Sequence, residues 1–154
     1  DHTSDVQASS WARFLDYLGR FHVLVVHLPI AFLTLAAFVE LAGWVRRRDD
    51  WLRFARAVFV FGSLGAFAAG GLGWIAASGA NYPDDLSQYL QWHRWWGTTV
   101  SIVALLGLLS AWGKHNGLVW CQALYRFSVF ALGIVVPVTA HLGGTLIYGP
   151  GYLF

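Results

Sequence analysis

Apolar residues gather into four long runs, at about 21–45, 52–77, 93–113 and 122–143, with polar residues filling the breaks between them. A helix needs about 20 mostly apolar residues to cross the hydrocarbon of a bilayer, and each run is long enough. The breaks differ in character. Residues 46–51 (RRRDDW) read as a tight charged turn, and 78–92 (SGANYPDDLSQYLQW) as a polar, acidic connection. Residues 114–121 (KHNGLVWC) form a short link with Asn116-Gly117 as its turn signal. The pattern predicts an all-α integral membrane four-helix bundle, up-down-up-down, as a single domain over 1–154. Residues 1–10 read as a polar tail and 144–154 as an outer C-terminal tail.

Two shorter patterns flank the runs. Trp11, Phe14, Leu15 and Leu18 repeat at helical spacing, which predicts an amphipathic helix over 11–19 lying at the outer interface. Asp84 is placed to cap a helix that carries Leu86, Tyr89, Leu90 and His93 on one face, turning His93 toward the bundle.

Composition agrees: 57% of residues are hydrophobic and 12% charged, half the charge of a usual soluble domain. A net charge of +2 gives no reason to expect a nucleic-acid partner. The cations are unevenly placed. Arg46, Arg47, Arg48, Arg53, Arg56, Lys114 and Arg126 lie at the ends joined by the first and third connections, whereas Arg13, Arg20 and Arg94 lie at the other ends. The positive-inside rule then predicts both termini on the outer, periplasmic side of a bacterial inner membrane. Lone Cys121 excludes an internal disulfide. The missing CxxCH excludes covalent c-type haem, and the absence of methionine removes that axial ligand. The tryptophans cluster near predicted helix ends, as interfacial belts do.

The candidate chemistry lies in the histidines. His22 and His27 open the first run, His93 opens the third, and His141 closes the fourth. Alternating helices would bring all of them into one layer near the outer face. Imidazole is the usual protein ligand of haem iron, copper and zinc, and ionisable groups inside a bilayer are by default functional candidates. The first and third helices of such a bundle sit on a diagonal, so His27 and His93 are the expected axial pair for a b-type haem. His22 and His27 stand about 140° apart around a helix of 3.6 residues per turn, so both cannot face one ion. His22 is then an interfacial residue or a ligand of another centre. His141 pairs with His22 or binds a haem propionate or a quinol. His2 and His115 read as solvated.

Gly62, Ala66 and Gly70, and likewise Ala69, Gly73 and Ala77, repeat at four-residue spacing, which lets membrane helices approach closely. Gly70, Gly71 and Gly73 also leave room for a planar cofactor at the histidine layer. Pro29 and Pro137 can kink the helices beside the candidate ligands. Glu40, the acid deepest in a run, is expected to pair with Arg46 or to serve as a proton-relay or quinone-site group. No GxSxG, HExxH or Walker sequence occurs.

Three stretches carry a family resemblance: Gly19-Arg20-Phe21-His22 through His27-Leu28-Pro29-Ile30, then His93-Arg94-Trp95-Trp96-Gly97, then His141 to Gly149. The chain resembles a family of small bacterial four-helix membrane proteins of unassigned function, whose opening typically reads Phe-His-Pro-x-x-Val-His-Phe-Pro-Ile. Val23, Leu28 and Pro150 depart from the family pattern, the last at a place where relatives often carry a further histidine. Such relatives are often associated with c-type cytochromes, which implies electron transfer. The expected function is a membrane electron-transfer subunit carrying haem b near the periplasmic face of a respiratory or photosynthetic complex. Its partners would be lipid and other subunits, a c-type cytochrome among them, with quinone as a further candidate ligand. The rivals are a cofactor-free structural subunit and a histidine-ligated copper or zinc site.

Overall fold

A computed structural model describes residues 10–80, 82–115 and 119–152. Every regular element among them is helical: α1 (Ser10–Arg20), α2 (His22–Val25), α3 (His27–Val45), α4 (Asp49–Ser78), α5 (Asp84–His115) and α6 (Val119–Tyr148). Four stretches are long and apolar enough to cross a membrane, namely Trp11–Val45, Asp49–Ser78, Leu86–Gly113 and Trp120–Tyr148.

The helices outrun the apolar runs. α5 begins at Asp84, where the Pro83 carbonyl accepts from the Leu86 and Ser87 amides, and continues unbroken through His93. The Asp84 side chain, the proposed cap, lies outside the described residues, as do His2 and the side chain of His115. α6 continues to Tyr148, so the expected C-terminal tail is helical for its first turn. The amphipathic segment over 11–19 does not lie apart from the bundle. It runs on into α2 and α3 as one bent rod and packs on α4, with Gly19 buried against Ala76.

The bends have a local cause. Pro29 has no N–H, so the Val25 carbonyl loses its helical donor and regular helix lapses at Val26. A second lapse falls at Phe21, whose amide reaches back only three residues, to Leu18 at 3.1 Å. These two lapses set the rotation of His22 relative to His27.

α3 ends in a Schellman turn. The Arg48 amide donates to Gly43 and the Arg47 amide to Trp44, with Arg47 left-handed at φ 52°. α3 packs on α4 and α6, and α5 packs on α4 and α6, while the diagonal pairs hardly touch. This is the up-down-up-down square. Leu33, Phe59, Val129 and Leu132 fill its centre. Phe38, Phe61, Leu105, Leu109, Phe127 and Ile134 face outward, an arrangement that only a lipid environment makes favourable. All tryptophans but Trp51 are exposed.

At the end near the 46–48 turn, Glu40 is 1% exposed and accepts from Arg126 Nε at 3.1 Å. The partner expected for it, Arg46, instead lies over the Trp51 ring at 5.4 Å. Arg46 sits beyond the end of α3, pointing away from the core, whereas Arg126 comes from the facing helix α6.

The two hairpins also correspond. α4 and α6 each have 30 residues. Arg56 and Arg126 take the same place counted from the helix start, as do Ala69 and Thr139, and Gly73 and Gly143. The first and third rods run the same way, so the halves relate as parallel repeats about an axis along the bundle.

Candidate functional site

The repeated features meet at the end of the bundle opposite Glu40. His22 comes from the bent first rod and His93 from α5, the helix diagonal to it. Their ring centroids are 6.1 Å apart, with planes at 74°. Each imidazole is fixed from behind in the same way. His22 Nδ1–H donates to the Ala69 carbonyl at 2.9 Å, and His93 Nδ1–H donates to the Thr139 carbonyl at 3.0 Å. A carbonyl only accepts, so in both rings Nδ1 carries a proton, and in the neutral imidazole Nε2 then keeps its lone pair.

A glycine one turn further along seats each ring. A Cβ on Gly73 would come within 2.9 Å of His22 Cε1, and a Cβ on Gly143 within 2.9 Å of His93 Cε1. The two seats, Ala69 with Gly73 and Thr139 with Gly143, are equivalent positions of the two hairpins. The rings face each other across the axis between them.

A cavity of about 440 Å³ surrounds the pair. Gly70, Gly73, Gly97, Gly143 and Gly144 line it, which keeps the space wide in a small bundle. Gly70 also admits the Ser101 hydroxyl of α5, which bonds the Ala66 carbonyl at 3.3 Å. Arg94 stands on the wall. Its guanidinium lies 4.1 Å over the Trp74 ring, and its buried Nε has no hydrogen-bond partner among the described residues. Trp74 is held in turn by Thr98, which accepts from its indole N–H at 3.2 Å.

The expected pair is rearranged by this geometry. His93 faces His22, not His27. His27 borders the cavity but is exposed, and its Nδ1–H reaches only the Leu24 carbonyl one turn back, at 3.3 Å. The lapse at Val26 and the angular offset of five residues turn it off the axis. His141 lies outside the cavity and stacks on Tyr152, with ring centroids 5.4 Å apart. Gly70 and Gly73 are both at the site, but with different duties. Gly71 meets nothing within 4 Å of where its Cβ would be.

Sequence reasoning missed the Ala69 and Thr139 carbonyls, Gly143 and Tyr152. The available signal was the recurrence of Arg56 and Gly73 as Arg126 and Gly143 in equal-length helices. Among the described residues no group of three or more histidine, cysteine or acidic side chains comes together to hold a metal. The site therefore offers two imidazoles, not the four ligands of a structural zinc centre.

A family model described as predicted membrane protein (DUF2231) matches residues 20–152. No curated protein and no solved structure matches the chain. The match takes in the membrane-crossing rods, both facing histidines and their glycine seats, and the chain belongs to this family of predicted membrane proteins, DUF2231.

Proposed function

We propose that the protein is a membrane electron-transfer subunit that holds a b-type haem between His22 and His93. The observation that carries this reading is the facing pair, with both Nδ1 protons engaged and both Nε2 lone pairs free. Metal-bound histidines characteristically donate their other ring N–H to a carbonyl, which fixes tautomer and aim. Two metal–imidazole bonds of about 2.0 Å plus two ring radii of about 1.1 Å give a centroid spacing of about 6 Å, in line with 6.1 Å here. Two protein ligands suit an ion that brings its own equatorial ligands, as haem iron does, and are too few for structural zinc.

The remaining residues fit such a group. The glycine lining leaves space for a flat macrocycle, and Arg94 would meet its carboxylates. Bound there and held by His22 and His93, the group would supply single-electron exchange. The protein's own contribution is to hold the imidazoles still and keep the pocket apolar. The arginine bias supports a site near the periplasmic face of a bacterial inner membrane, and a c-type cytochrome would be the natural partner there.

The test is a reduced-minus-oxidised absorption spectrum of detergent-purified protein with haem counted per chain. A b-type α-band at about one haem per chain is expected. His22→Ala and His93→Ala should each abolish it, and His27→Ala should keep it. Colourless protein from haem-replete cells would leave the second reading, a cofactor-free structural subunit. The staple-like bonds of His22 to α4 and His93 to α6 favour that reading, since each by itself joins two helices.

A further inference from the structure

We infer that a groove on the lipid-facing side, between α3 and α6, binds the head group of a membrane quinone, with His141 and Tyr152 as its polar contacts. The groove is shallow and wide open on the outer surface of the bundle, with a volume of about 670 Å³. Leu35, Phe38 and Pro137 supply apolar walls suited to an isoprenoid tail. Its accessible polar side chains are His141 and Tyr152. His141 and Tyr152 share a hydrogen bond of 3.2 Å between Nδ1 and the phenol oxygen. Thr34 lines the groove through its apolar atoms, its Oγ1 being buried beneath the surface.

The head of this groove is built by the backbone. Gly149 closes α6, its amide donating to the Thr145 carbonyl at 2.9 Å, and Gly149 and Gly151 are both left-handed, at φ 88° and 82°. That reversal carries Tyr152 back over His141. Gly144 makes room for it, because a Cβ there would collide with the Tyr152 phenol. A helix end left to fray would not bring an aromatic ring back to stack on a histidine.

The chemistry of the lining selects the occupant. Imidazole and phenol both donate and accept hydrogen bonds, and among the described residues no Lys or Arg lines the groove. A phospholipid phosphate would need a cation there. A quinone offers neutral carbonyl oxygens at one end and a long apolar tail at the other, which is the polarity the groove presents. The position is also apt. Ile30 and Ala140 line both this groove and the histidine cavity, so a single layer of side chains separates them. The value of that proximity rests on the haem reading, but the binding itself does not.

The test uses the full chain in phosphatidylethanolamine–phosphatidylglycerol nanodiscs, photolabelled with an azidoquinone and mapped by mass spectrometry. Saturable adducts within 30–38 or 137–152, competed by decylubiquinone and not by an equal excess of phospholipid, are the expected result. His141→Phe should weaken the competition about tenfold, the loss of roughly one good hydrogen bond, and His141→Gln should recover part of it. Tyr152→Phe keeps the ring packing and removes the hydroxyl, so it reads the contact even if His141→Phe fails to fold. Adducts spread over the lipid-facing helices, equal competition by phospholipid, or competition indifferent to both His141→Phe and Tyr152→Phe would overturn the proposal. The absorption spectrum of the same preparation separates the two readings. Labelled but colourless protein removes only the haem, and coloured protein without specific label removes only the quinone site.

Discussion

At the residue scale, the site depends on what two glycines lack. Gly73 and Gly143 each give a histidine ring the space that a methyl group would fill. Gly73→Val and Gly143→Val should push the rings off their carbonyl partners, costing about 1–3 kcal/mol through overpacking in addition to any loss of cofactor. Gly71→Val is the control, because nothing lies near its Cβ position. Thermal unfolding in detergent should lower the midpoint for the first two and leave the third close to wild type. Arg94 makes a second prediction at this scale. A cation beside the site disfavours the more positive, oxidised state of a haem. If His22 and His93 hold a haem, Arg94→Gln should therefore lower its midpoint potential by tens of mV, measured by redox titration of the α-band, with the band itself retained. An unchanged potential would place the guanidinium too far from the iron to matter, with Trp74 as its only partner.

At the element scale, the existence of the helices was legible because apolar runs of membrane length have few other solutions. Their ends were less so, since α5 and α6 continue past the apolar stretch on amphipathic or interfacial residues that hydropathy does not mark. Which faces meet was least legible. The choice of His22 over His27 turns on the lapses at Phe21 and Val26, and the first of these has no clear sequence signal. The carbonyls of Ala69 and Thr139 belong to the backbone, so no side-chain pattern could announce them. Glu40 illustrates the same limit: proximity in sequence pointed to Arg46, whereas the bundle supplies Arg126 from across the α3–α6 interface. Glu40 is nearly fully buried, while Arg126 is partly open beside Trp44. Arg126→Leu strands a buried carboxylate and should cost about 3 kcal/mol, the lower end for a broken buried pair. The double variant Glu40→Leu with Arg126→Leu should recover most of that loss in the same unfolding assay. Failure to recover would show that Arg126 acts through its stacking on Trp44 and not through the charge pair.

At the scale of the whole molecule, two equivalent hairpins place their histidines face to face, while His27 and His141 have no histidine counterpart in the other half. Gly71 stands in α4 where His141 stands in α6. The facing arrangement of the two imidazoles is thus built by the repeat, and the groove at His141 breaks it on one side only. All of this lies at one end of the bundle, so the side of the membrane it faces decides which partner proteins can reach it. The cations predict the answer. Arg46 to Arg48, Arg53 and Arg56 crowd the opposite end, and cytoplasmic retention of Lys and Arg sets orientation. The single native thiol, Cys121, is 2% exposed, so it should stay silent toward a membrane-impermeant maleimide. Ala80→Cys lies in the exposed connection at the histidine end, and Asp49→Cys at the start of α4 replaces an acid, leaving the Lys and Arg pattern untouched. In intact cells Ala80→Cys should label and Asp49→Cys should not, with both labelling once the membrane is opened. The reverse pattern would turn the paired histidines toward the cytoplasm. A periplasmic c-type cytochrome could then no longer be the partner, whatever the spectrum shows about haem.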